Sequence, residues 1–292
     1  MSQENQQDDI TKKTVVYQIP GADAVRIRRD VEYQATDASV LTMDIYYPPD
    51  SKSGTRVPAV VFVAGYPDPG VQAKVGCKTK EMGAFISWAH LSAASGIAAI
   101  TYTNTEPAAD IRTLLQYVRQ NAAVLGIDEN RIGVWASSGH VPNALSVLMQ
   151  EANDHLKCAV LCYGFMLDLE GFTDVAESAR MFGFVTPCAG KSVEDISQNI
   201  PMFIVRAGRD QFPHLNETID RFIVKALACN LPITFVNYPE APHAFDLFHD
   251  SETSREIIRQ ILAFMQFHLV APVNLPVRAD SVPKEDFDER IS

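Results

Sequence analysis

The sequence contains no C-x-x-C pair, and its five cysteines, Cys77, Cys158, Cys162, Cys188 and Cys229, are odd in number. A complete disulfide framework is therefore not expected. Cys158 and Cys162 sit in an apolar run, where small buried hydrophobes fit better than metal ligands. No set with metal-ligand spacing stands out, and no Gly-rich dinucleotide motif follows the first parallel strand-like run, so neither metal nor cofactor is expected. No Lys/Arg-rich run is present, and 25 basic against 36 acidic residues give a net charge of −11. Phosphate backbones need a clustered positive field, so nucleic-acid binding is not expected. Residues 1–13 are polar with no apolar h-region, and no apolar stretch approaches a membrane span, so the expectation is a cytoplasmic protein with no membrane contact. Repeats, collagen-like periods and low-complexity linkers are also missing.

What is present is ordinary globular content: 47% hydrophobic and 21% charged residues. The 292 residues suit one α/β domain over 14–270, with tails at 1–13 and 271–292. Segments 25–33 and Val40–Tyr47 alternate apolar and polar residues, as in an antiparallel pair with one wet face; Asp37-Ala38-Ser39 supplies the turn. Near-continuous apolar runs follow at 57–64, 96–102, 132–136, 158–163, 201–205 and 233–236. Runs apolar on both faces read as central strands of a covered parallel sheet. The intervals read as helices: 81–95, 108–125, 142–150 continuing a helix begun near Gly139, Leu215–Ala228 and 254–269. Over 108–125, Ile111, Leu114, Leu115, Val118, Ala122 and Leu125 share one stripe, and Pro107 suits the first turn. A hairpin followed by repeated β-α units predicts a three-layer α/β/α sandwich with a mostly parallel sheet. Ligands in such sheets bind at the carboxyl ends of the strands.

The strand-like run 132–136 ends in Ser137-Ser138-Gly139-His140, with a helix after it. A reacting serine must stand on a sharp turn so that its Oγ clears the sheet, with small neighbours making room. Only Ser138 has the offset, with Ala136 two residues before it; the plainer alternative is an N-cap serine. Asp210 follows the run at 201–205, and His243 follows the run at 233–236. Ser, Asp and His thus appear in that chain order, each after its own strand. His243 has the intrinsic basicity for proton exchange near neutral pH, and Asp210 would fix its tautomer. Asp246 is a rival acid, and His214 and His249 are rival bases; these two histidines follow no strand directly.

The segment "RIGVWASSGH", with "AGRD" and "PHAFD" downstream, resembles the α/β-hydrolase superfamily, in particular its dienelactone-hydrolase-like esterases with serine as nucleophile. The resemblance runs from the first hairpin to the last helix. It implies the α/β-hydrolase fold, no cofactor, and cleavage of a carboxylic ester or related acyl bond through an acyl-enzyme on Ser138, with His243 and Asp210 completing the triad. Thioester, lactone and peptide bonds belong to the same chemistry. The sequence departs from the G-x-S-x-G motif at Ala136 and His140, and Ala64 stands where the family has histidine. These departures leave open a catalytically silent α/β-hydrolase-fold protein that binds a small molecule or a partner. His140 reads either as a polar group tuning Ser138 or as a histidine hydrogen-bonded under the turn.

Acyl transfer also needs hydrogen-bond donors for the oxyanion. Gly139 N–H is one. The other is expected from Ala64-Gly65-Tyr66-Pro67, with the Tyr66 amide first and the Gly65 amide second, because Pro67 has none. A plain Pro/Gly turn explains the prolines equally well. Segment 166–200 is longer than one crossover helix requires and is apolar, which suits a small cap over the pocket or ordinary packing. Tyr66, Phe172, Phe182 and Phe245 are the candidate substrate contacts, with Trp88 as a further wall, for a small-molecule acyl substrate. Arg209, beside Asp210, is the one candidate cation there.

Overall fold

The structure is a computed structural model, and it describes residues 9–35, 40–52, 54–150 and 155–270. The expected turn at 37–39 and tail at 271–292 lie outside the described residues. Eight strands form one sheet: β1 (Arg26–Ala35), β2 (Val40–Tyr47), β3 (Val57–Phe62), β4 (Ala98–Tyr102), β5 (Ile127–Ser137), β6 (Leu156–Cys162), β7 (Met202–Ala207) and β8 (Ile233–Tyr238). Their order is β1-β2-β4-β3-β5-β6-β7-β8. β1–β2 and β2–β4 pair antiparallel, and the other neighbours pair parallel.

The helices are α1 (Asp68–Val75), α2 (Gly83–Ala94), α3 (Pro107–Gln120), α4 (Ala122–Leu125), α5 (Val141–Leu148), α6 (Asp174–Phe182), α7 (Leu215–Ala228), α8 (Phe245–Phe248) and α9 (Glu252–Leu269). The apolar stripes choose the layers. Ile111, Leu114, Leu115 and Val118 of α3 and Leu215, Ile219, Phe222 and Ala226 of α7 join one core with the β3 residues Ala59 and Val61. Trp88 of α2 and Ile257, Ile258, Ile261 and Met265 of α9 join the other, with Val60 and Phe62 of β3. Alternate residues of the same strand thus face opposite cores, which is why β3 reads as an unbroken apolar run. The result is the three-layer sandwich expected.

Several expectations need correction. β5 begins five residues earlier than the apolar run at 132, because its first stretch carries polar residues. The helix read over 108–125 is interrupted at Asn121, which separates α3 from α4. β8 is an edge strand, not a central one, and Thr234, Phe235 and Asn237 are exposed. The stretch read as a Pro/Gly turn after β3 starts a helix: Pro67 precedes α1, and Pro69 sits in its first turn, where its missing N–H costs nothing. Segment 166–200 holds α6 and a 3-10 turn at Val193–Asp195; it packs onto α5 through the Cys188 thiol, which donates to Pro142 O at 3.2 Å, and onto the β3 loop through Val185 N–H, which donates to Gly65 O at 2.9 Å.

Candidate functional site

β5 ends at Ser137, whose backbone is extended. Ser138 then takes φ +52°, a left-handed conformation that costs a non-glycine residue energy and persists only where its surroundings enforce it. A 3-10 turn over Ser138–His140 leads into α5. The turn lifts Ser138 Oγ off the sheet, and it lies 2.9 Å from His243 Nε2. It caps no helix, so the N-cap alternative does not describe this serine.

His243 sits in the loop after β8, and Asp210 in the loop after β7; these strands are parallel neighbours. The far ring nitrogen, His243 Nδ1, lies 2.6 Å from Asp210 Oδ2. The Asp210 side chain is fully buried and also accepts the Phe212 amide at Oδ1, at 3.0 Å. One proton between Nδ1 and the carboxylate leaves Nε2 as the acceptor facing Ser138 Oγ. Two rings meet the imidazole edge to face: Phe212 at 4.5 Å and Tyr163 at 5.1 Å.

Asp246, the rival acid, is occupied elsewhere. It accepts Tyr163 Oη at 2.6 Å and Trp88 Nε1 at 2.7 Å, and burial pushes its pKa up. His249 lies 3.2 Å from Tyr238 Oη, and His214 is at the start of α7. Neither reaches Ser138.

The loop after β3 uses its amides one by one. Val63 N–H donates to Trp135 O, Ala64 N–H to Tyr102 Oη and Gly65 N–H to His140 Nδ1, the last at 2.8 Å. Gly65, the second-choice donor, is therefore taken. Pro67 has no N–H, so Tyr66 holds the one amide of this stretch with no acceptor among the described residues. Gly139 N–H stands at the start of the turn, ahead of intrahelical bonding. Loop and turn are in close contact: a Cβ on Gly65 would lie 2.5 Å from Gly139 O, and one on Gly139 would collide with Tyr66 Oη. Asn143 of α5, fully buried, fastens the loop from below by donating Nδ2 to Ala64 O at 2.7 Å and to Pro107 O at 3.1 Å.

His140 is the departure that the structure explains. Its ring lies between the edges of Tyr66 (5.0 Å) and Phe85 (5.4 Å), and burial lowers its pKa to about 4. A neutral ring with an unprotonated Nδ1 is what the Gly65 amide requires. His140 thus ties the β3 loop to the turn bearing Ser138. Its place beside the motif was legible in the sequence; its partner on a distant loop was not.

Two cavities border residues that surround Ser138, one at Tyr66 and His140 and one at His243. One, about 240 Å³, is walled by Tyr66, Val71, Met82, His140 and Phe182. The other, about 440 Å³, is walled by Phe212, Pro242, His243 and Phe248. Of the expected substrate contacts, Tyr66 and Phe182 line the first cavity. Phe172 does not: it is 48% exposed and lies under the Arg221 guanidinium, 4.0 Å from its ring centre. Phe245 is fully buried between Tyr163 and Tyr238, and Trp88 is buried beside Trp135, so both are core residues. Arg209 is exposed. Sequence reasoning missed Phe212; an aromatic residue in a loop carries no periodicity that would mark it. No group of metal ligands occurs among the described residues, and no helix among them is long and apolar enough to cross a membrane.

No family model and no curated relative matches the chain. Solved structures do. The native esterase 2 of the planctomycete Thermogutta terrifontis superposes with a TM-score of 0.62 at 22% identity, over 87% of this chain and 96% of that one. Its propionate-bound form gives 0.61 at 22%, over 85% and 97%. A Pyrobaculum calidifontis esterase gives 0.60 at 19%, over 84% and 86%. These are likenesses of fold, and the fold is that of the α/β-hydrolases.

Proposed function

We propose that the chain is a serine hydrolase of carboxylic esters. The observation that carries this is the Ser138–His243–Asp210 relay, at 2.9 and 2.6 Å, on a serine held at φ +52° between strand and helix. The Thermogutta esterase, bound to propionate and in another structure phosphorylated by paraoxon, supports the reading by its fold. Nothing in the geometry favours a silent scaffold.

Ser138 Oγ attacks the ester carbonyl while His243 Nε2 takes its proton. Asp210 stabilises the imidazolium. The Tyr66 and Gly139 amides receive the oxyanion, and being backbone donors in a packed loop they need no reorganisation. The imidazolium then protonates the leaving alkoxide. Water, deprotonated by His243, releases the acid from Ser138. Because His243 must reach the leaving oxygen, the alcohol occupies the cavity at Phe212 and Pro242, and the acyl chain extends to the cavity at Tyr66 and Phe182. At about 240 Å³ the latter lies below the usual range for drug-sized ligands, which suits a short acyl chain. Segment 166–200, carrying Phe182, acts as a small cap. The same reading makes the chain a dienelactone-hydrolase-like member with serine as nucleophile. Its five free cysteines suit a cytoplasmic setting.

The test is turnover of p-nitrophenyl butyrate, followed by paraoxon treatment and peptide mass spectrometry. A diethylphosphoryl group on Ser138, with loss of turnover, is expected. Undiminished turnover with Ser138 unlabelled would overturn the proposal.

A further inference from the structure

The acyl-side cavity holds one charge. Lys74, on α1, lines it, and no acidic residue does. The lysine stretches across the rim towards the C-terminal end of α6: its Nζ lies 3.4 Å from where a Cβ on Gly183 would stand. No carboxylate answers it among the described residues. Lys74 is exposed, and other exposed cations, Arg112, Arg119, Arg180 and Arg209, also have no carboxylate partner among the described residues; Lys74 differs from them in lining the acyl-side cavity. Lys80 is held by Asp30 and Asp44 at 2.7 and 2.8 Å, Lys225 by Glu194 at 2.6 Å, and Arg206 by Asp220 at 2.8 Å. The other titratable groups on the wall add no charge near neutral pH: His140 titrates at about 4 and Tyr66 at about 12, both because of burial.

We propose that Lys74 selects esters whose acyl chain ends in an anion, such as half-esters of dicarboxylic acids. The proposal rests on the esterase reading above. The carbonyl end of such a substrate sits at Ser138, its methylenes run along Val71, Met82 and Phe182, and its terminal carboxylate meets the Lys74 ammonium at the rim. Acidic chains repel anions at long range, and a local cation beside apolar walls offsets that repulsion only for an anion held at the right distance. The competing role for Lys74 is purely structural, as a cation near the carbonyl end of α6.

Two substrates of equal acyl length separate these roles: p-nitrophenyl hydrogen adipate, with a free carboxylate, and p-nitrophenyl hexanoate, without one. The readout is the ratio of their kcat/KM values in wild type, Lys74→Met and Lys74→Glu. The ratio is expected to fall about tenfold in Lys74→Met through KM, further in Lys74→Glu, and to shrink in wild type as salt is raised. A ratio unmoved by both substitutions, while hexanoate is still hydrolysed, overturns the anion inference and leaves the esterase reading standing. If wild type hydrolyses neither ester, the esterase reading fails, and calorimetric titration with adipate decides the site by itself. Binding about tenfold weaker in Lys74→Met supports it; equal binding, or none to wild type, overturns it.

Discussion

Replacing His140 by alanine tests the link between the loop after β3 and the turn that carries Ser138. The substitution strips the acceptor from the buried Gly65 amide and removes two edge-to-face ring contacts. An unsatisfied buried N–H costs about 1–3 kcal/mol. Each aromatic contact adds about 0.5–1.5 kcal/mol beyond its area. Because His140 borders a cavity, water can enter and recover part of the lost hydrogen bond. A destabilisation of about 2–4 kcal/mol is therefore expected in urea unfolding. Catalysis should suffer as well. Tyr66 follows Gly65 directly, and an amide displaced from the oxyanion loses some of the hundred- to thousand-fold that one donor typically provides. We expect kcat on p-nitrophenyl butyrate to fall about tenfold or more, with KM little changed.

The same residue carries a pH signature, and its sign follows from the burial. His140 in the folded protein titrates at about 4, below the 6.5 of an exposed histidine. Above pH 6.5 neither state holds the proton, and its neutral form contributes fully to stability. As pH falls from 6.5 towards 4, the unfolded chain takes up a proton that the folded one refuses, so stability declines. The full loss is about 3 kcal/mol, at 1.36 kcal/mol per pKa unit. His140→Gln retains an acceptor for Gly65 but has no proton to gain. Its stability should therefore fall less steeply than wild type between pH 6.5 and 4, where other acids titrate equally in both. Parallel pH curves for the two proteins, with His140→Ala as stable and active as wild type, would refute the reasoning.

Other substitutions separate roles within the site. Ser138→Ala should abolish ester turnover with the circular dichroism spectrum unchanged, while Ser137→Ala, altering an extended strand residue, should keep most of it. Asp210→Asn should lower kcat by about ten-thousand-fold, the scale seen when a triad carboxylate becomes an amide. Asp246→Asn should instead lower the melting temperature, since it disturbs the Trp88 and Tyr163 hydrogen bonds, and should leave the pH profile of kcat unmoved. Tyr66→Pro deletes an amide donor and should cost about a hundred- to thousand-fold in kcat, whereas Tyr66→Phe retains that amide and should cost far less.

The sheet was legible because parallel strands buried on both faces leave unbroken apolar runs, and β3, β4 and β6 are such runs. β8 misled because it lies at the edge of the sheet: its apolar residues point to both layers, Ile233 to one core and Val236 and Tyr238 to the other, while Thr234 and Phe235 stay exposed. Ser138, Asp210 and His243 were legible for a related reason: strand ends can be read from hydrophobicity, and each residue follows one. What joins loop to loop was not legible. Asn143, His140 and Asp246 each act through a partner dozens of residues away, and no local pattern records that His140 Nδ1 waits for the Gly65 amide. Two of the four aromatic candidates, Phe172 and Phe245, lie outside the cavities on the same ground, while Tyr66 and Phe182 line one. Phe172 and Phe182 stand ten residues apart in one apolar segment, yet Phe182 ends α6 facing the cavity, while Phe172 precedes that helix and lies on the outside under Arg221. Arg221 in turn pairs with Asp174 at the start of α6, so the charges that set the placement of Phe172 lie on two different elements. Composition identified a segment rich enough in apolar residues to cover a pocket; only packing decides which of them turn inward.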